Sequence, residues 1–199
     1  MKRTVMSFFA LALALTPTYA QAPSQPPAQS NCMLTVRGIR LGMNLQQLLA
    51  LFPASSKRKE TRDVIERAKA AASNETVYVA FDPVSDGSNE QFGGVDSVLV
   101  GVYKGQVVDF TISYVGPTWR TIDEWVNKLA ETFGLPNAKR WTAGPSENPN
   151  LMLRCKAVII EAGIQGGGGS IRVRDTEYNK ETEKQKETGE EKKRRDFKP

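Results

Sequence analysis

Apolar residues change their spacing several times along this chain, and each change marks an element. Leu45, Leu48, Leu49 and Phe52 recur at the three-and-four spacing of one helix face, behind Gly42-Met43-Asn44, and Pro53 ends the run. Asn44 is placed to cap that helix while Gln47, three residues on, reaches back to it. A second helical stretch, from about Glu60 to Ser73, carries only a thin stripe of Val64, Ile65, Ala68 and Ala72, so it should lie on the surface. Period-two patterns follow. Residues 76 to 81 are β-branched and aromatic, and Asp82-Pro83 opens a polar loop that lasts to Gly94. Val95 to Tyr103 and Gln106 to Val115 flank Lys104-Gly105, a two-residue connection that closes a hairpin. In the second strand Val108, Phe110, Ile112 and Tyr114 share one face and Asp109, Thr111 and Ser113 the other, which predicts a sheet with one dry side and one wet side.

The strongest helical pattern comes next. Thr121 and Glu124 form a capping box, Ile122, Trp125, Val126, Leu129 and Phe133 build the apolar stripe, and Gly134 and Pro136 stop it. Later strand candidates are a short one at Met33 to Val36, one near Arg140 to Thr142, an apolar stretch from Leu151 to about Ile164 that should break near Lys156, and Ser170 to Arg174. The segments 44 to 53 and 121 to 136 are built alike, each a cap, an apolar stripe, then Phe and Pro, and each precedes about three strand candidates. The expectation is an α+β fold with helices on one face of an antiparallel sheet, arranged as two α-βββ halves.

The start of the chain has a different character. Lys2 and Arg3 precede an apolar run from Val5 to Leu15, and Thr18-Tyr19-Ala20 offers small residues three before and one before a cut. That is the order of a secretory signal over residues 1 to 20. The run is too short to span a bilayer, for which about 20 residues are needed. Residues 21 to 31 are polar and proline-rich, the composition of an extended linker. A single α+β domain is expected over 32 to 174. Residues 175 to 199 form a charged tail, helical or disordered, with Gly189 opposing one unbroken helix.

Charge and the reactive residues then narrow the chemistry. The chain is +5 overall, and residues 172 to 199 hold ten Lys or Arg against eight Asp or Glu, which leaves the middle close to neutral and gives nucleic-acid binding little support. There is no histidine, which closes off histidine-based nucleophile activation and the usual zinc and haem ligand sets. No metal or cofactor is expected. The two cysteines, Cys32 and Cys155, fall in a chain that the leader would send to an oxidising compartment, and they are expected to pair; the alternative is two separate buried thiols.

Gly38-Ile39-Arg40-Leu41-Gly42-Met43-Asn44, running into a short helix that ends at Pro53, resembles the opening helix of small exported bacterial proteins. Among them are the small lipoprotein of the outer-membrane barrel-assembly machine and the β-lactamase inhibitor protein. The resemblance implies paired helices against an antiparallel sheet and action by binding other proteins, without catalysis. The chain lacks the lipobox of the lipoprotein. As a whole, with Phe133-Gly134-Leu135-Pro136, Leu153-Arg154-Cys155 and a closing Phe197-Lys198-Pro199, it resembles an uncharacterised family of exported bacterial proteins.

Three features invite chemistry. Gly166 to Gly169 with Ser170 looks like an anion cradle, but it lacks the Lys-Ser/Thr ending and precedes a strand, so a hairpin loop is expected. Asp109 and Glu161 are carboxylates within strand patterns; solvated residues are expected, with paired acid-base work on a glycan as the alternative. Trp125 belongs to the core by its helical phase, whereas Trp119 and Trp141 sit beside turns and are the candidate binding residues. The reading is a periplasmic or secreted domain that binds a protein partner in the envelope through the polar sheet face or the loops around Trp119 and Trp141. The alternative is a carboxylate-dependent hydrolase acting on cell-wall or sugar polymers.

Overall fold

The structure, a computed structural model, describes residues 32, 34–70, 75–88, 90–145 and 147–197. The leader, the proline-rich linker, Met33 and Ala72 lie outside the described residues. Among the described residues four α-helices, α1 (Leu45–Ala50), α2 (Lys59–Ala70), α3 (Ile122–Phe133) and α4 (Thr176–Asp196), accompany seven strands: β1 (Val77–Phe81), β2 (Val95–Tyr103), β3 (Gln106–Tyr114), β4 (Thr142–Ala143), β5 (Asn150–Arg154), β6 (Val158–Gln165) and β7 (Gly168–Asp175). The strands form one antiparallel sheet in the order β1-β2-β3-β7-β6-β5-β4. None of the described helices is long and apolar enough to cross a membrane.

The α+β expectation holds, with helices packed against an antiparallel sheet. Two helices, α1 and α2, precede the β1-β2-β3 meander and one, α3, precedes β5-β6-β7, and the last strand of each meander pairs with the other, Ile112 opposite Ile171 and Ser113 opposite Ser170. The two-residue β4 adds an edge to the second half alone. Val100, Phe110, Ile112, Ile171, Val173 and Ile160 point inward with no more than traces of exposure, and Leu48, Val126 and Leu129 meet them from the helices. Cys32 and Cys155 sit at disulfide geometry, Cα atoms 5.9 Å apart, and join the start of the domain to the β5-β6 turn.

Local chemistry accounts for the elements. Asn44 and Gln47 exchange side-chain hydrogen bonds with each other's N–H groups, the expected box. Thr121 accepts from the Glu124 N–H, but the Glu124 carboxylate accepts from Arg120 rather than from the capping residue, so only half of the second box forms. Gly134 ends α3 in the left-handed conformation that a Cβ disfavours.

Four expectations are corrected. Residues 34 to 36 form no strand: Val36 and Ile39 exchange two 2.9 Å backbone bonds across Arg37 and Gly38, a tight isolated turn. The segment at Arg140 turns as a short 3-10 helix, Ala138–Arg140, and extends only from Thr142. A bulge at the Gly101/Val102 register shift makes Val107, not Val108, the buried residue at that end of β3. The charged tail is helical through Gly189, with Asp175 accepting from the Glu177 and Tyr178 N–H groups at its cap. The apolar stretch does break as expected, at 155 to 157 between β5 and β6.

Candidate functional site

The sheet has one face under α1, α2 and α3 and a second face whose residues are read directly from the strand register. Tyr78, Gly101, Asp109, Arg174, Ile159 and Arg154 form one cross-strand row, and Ala80, Leu99, Thr111, Arg172, Glu161 and Met152 form the next. Strand alternation places all of them opposite the core residues.

Asp109 is buried, with 2 % of its surface exposed, although the alternation marked it as a solvated polar position. Arg172 explains this. Its guanidinium donates through Nε, at 3.0 Å, and through NH2 to the two carboxylate oxygens, a bidentate pair that takes over from water. That hydrogen bond, ahead of opposing burial, raises the Arg172 pKa above its already high range. The Tyr78 hydroxyl donates to the same carboxylate at 3.4 Å. Burial first, and then the Asp109 charge, push the Tyr78 phenol up to about 12. Glu161 is also mostly covered, paired with Arg174, whose other arm donates to Asn179 of α4 at 2.8 Å. The two ion pairs cross: each arginine reaches diagonally to a carboxylate on a neighbouring strand.

Asp109 and Glu161 therefore share a face but not a cleft. They stand two strands apart, about 10 Å sideways, with β7 and its arginines between them. Both carboxylates accept hydrogen bonds from the arginines of β7. Beside Glu161 and Arg172 is a concavity of about 250 Å³ bordered by Thr111, Asn150 and Ser170. On the helical side an apolar concavity of about 770 Å³ lies between Leu45, Leu49, Ala68 and the Lys104-Gly105 turn.

Next to the ion pairs the face turns apolar. Leu99 is 43 % exposed and Tyr78 44 % exposed, on adjacent strands, with Ala80 directly opposite Leu99. An exposed leucine in the middle of a nine-residue strand is held rigidly by paired backbone on both sides.

The tryptophans divide differently from the sequence expectation. Trp141 is buried at 6 % and donates its indole N–H to the Pro136 carbonyl at 2.8 Å, so it packs the α3 end of the core and offers no face to a partner. Trp119 is half-buried, tilted against Trp125 with ring centroids 5.2 Å apart. The glycine run is a β6-β7 hairpin turn, Gly166 and Gly167 having positive φ, and Gly169 seats the Trp125 ring.

Sequence reading found Asp109 and Glu161 but not the arginines that hold them or the Tyr78-Leu99 patch. One signal was available: Ser170, Arg172 and Arg174 alternate with Ile171 and Val173, which puts two cations on the wet side of β7. The fold and this surface together define a small α+β domain with one helix-covered and one largely open sheet face. No protein-family model matches the chain, and comparison with curated proteins and with solved structures finds no match.

Proposed function

We propose that the chain is an exported, non-enzymatic binding domain, periplasmic or secreted, that meets a protein partner through the open face of its sheet. The observation that carries this reading is the Leu99-Tyr78 patch beside the Asp109-Arg172 pair: an exposed aliphatic and an exposed aromatic residue on fixed strands, flanked by an arginine. Aromatic and arginine residues are enriched at protein interfaces and among their energetic anchors, and a rigid surface loses little entropy on association. The crossed ion pairs hold the surrounding side chains in place before any partner arrives. Export is supported by the n-region, apolar run and small-residue cut at the chain start, and by two cysteines at disulfide geometry.

A photo-crosslinking residue at position 99, expressed in the native host, should yield one dominant protein adduct in the envelope fraction. Introducing Tyr78→Ala into that chain should erase the adduct, and the same crosslinker at exposed Val84 should not form it. Absence of an adduct at 99, or turnover of glycan polymers by the purified domain that Glu161→Gln removes, would overturn the reading.

A further inference from the structure

We propose that the far end of α4 docks end-on against an anionic lipid surface. The helix meets the body through its first two turns: Tyr178 bonds Thr76 and tilts against Tyr103, Asn179 takes Arg174, and Glu181 accepts from Tyr103. Its 21 residues span about 30 Å.

Charge along it is separated rather than mixed. Residues 177 to 191 hold six glutamates against three lysines; residues 192 to 199 hold Lys192, Lys193, Arg194, Arg195 and Lys198 against Asp196 alone. Lys193, Arg194 and Arg195 are exposed, and Phe197 beside them is 73 % exposed. Basic residues in a last helical turn commonly complement the helix dipole, but that dipole amounts to about half a charge at the C-terminus. Residues 192 to 199 carry a net +4, and counting Glu190 and Glu191 of the adjoining turn leaves +2, still larger than that. The Arg194-Glu190 pair at 3.5 Å and the Arg195-Asp196 pair at 3.8 Å, exposed on both sides, are weak surface pairs and leave the cluster net positive.

A cluster of cations carrying an aromatic side chain fits the boundary between lipid headgroups and acyl chains, where an anionic leaflet attracts each cation. The acidic half of the helix selects the geometry. Glu177, Glu181 and Glu183 stand about 16 Å or more behind Arg194 along the axis, beyond the Debye length of about 8 Å at physiological salt, and Glu187 about 10 Å behind it; Glu190 and Glu191, within about 6 Å, offset part of the cationic charge. A planar surface met end-on touches the cations and leaves those glutamates screened, whereas a nucleic-acid strand laid along the helix would meet both. The docking leaves the sheet face free and takes from the proposed function only the compartment in which a membrane is met.

The test uses the chain from residue 21 onward, sedimented with vesicles of phosphatidylcholine alone or mixed with phosphatidylglycerol. Binding is expected only to the anionic vesicles, half-complete at roughly 1 mM accessible lipid and lost at about 0.5 M salt. Combined Lys193→Gln, Arg194→Gln and Arg195→Gln should lower partitioning about a hundredfold with far-UV dichroism unchanged. Phe197→Ala, which leaves the charge intact, should lower it by a smaller factor. Equal binding to neutral vesicles, binding untouched by the triple variant, no binding at all, or tighter association with an oligonucleotide duplex than with vesicles would each overturn the proposal. None of these outcomes bears on crosslinking at position 99, so the two readings fail separately.

Discussion

Trp125 lies against the backbone of Gly169 and donates its indole N–H to the Ser170 carbonyl at 2.8 Å. A Cβ at 169 would stand 2.7 Å from two atoms of the ring, inside contact distance. The strand is thus free of a side chain where the best helix of the protein presses its largest residue. Gly169→Ala is expected to destabilise the domain by about 1 to 3 kcal/mol, the usual penalty for overpacking, read from the urea midpoint. Adding Trp125→Leu should make the double variant less damaged than the sum of the singles, because the clash disappears with the ring.

The Asp109-Arg172 pair predicts an asymmetry. Removing the arginine leaves a carboxylate that is 2 % exposed without its counter-charge, whereas removing the carboxylate's charge leaves a guanidinium already 37 % exposed. Arg172→Met should therefore cost about 3 kcal/mol and Asp109→Asn distinctly less. Equal losses in chemical denaturation would show that the burial difference does not govern this pair.

Tyr78 gives the pH dependence. Its phenol titrates at about 12 in the folded protein against the ordinary 10.0. Between those values the folded state holds a proton that the unfolded state has released, so the contribution is complete below pH 10 and is lost as pH rises toward 12. Tyr114 shifts in the same direction, chiefly through burial. Stability measured from pH 9 to pH 11.5 should fall in the wild type and fall less steeply in Tyr78→Phe, with the phenolate absorbance of the folded protein rising correspondingly late.

Cys32 and Cys155 are 123 residues apart in sequence. A bond closing so long a loop restricts the unfolded chain by about 4 to 5 kcal/mol in the chain-entropy picture. The unreduced, denatured protein should show no reactive thiol, and the double serine variant should unfold at a clearly lower urea concentration. Two titratable thiols per chain would remove both the bond and one support for export.

Much of the fold could be read from periodicity. The Asn44 and Thr121 caps, the Lys104-Gly105 hairpin and the break after Arg154 depend on residues a few positions apart, and the chain carries that information locally. The bulge that substitutes Val107 for Val108 does not, because it is fixed by where β2 and β3 come into register. The same limit separated Trp119 from Trp141, which look alike beside their turns until α3 and the Pro136 carbonyl enclose one of them.

The sequence by itself determined the α+β class, the leader pattern and the exclusion of histidine chemistry. Each of these depends on composition or on spacing within one turn or one strand. Only the tertiary structure decided that Asp109 is buried against Arg172 and that Leu99 and Tyr78 share an open face. Those relations join residues from 21 to 63 positions apart, and they exist only once strand order brings the residues side by side.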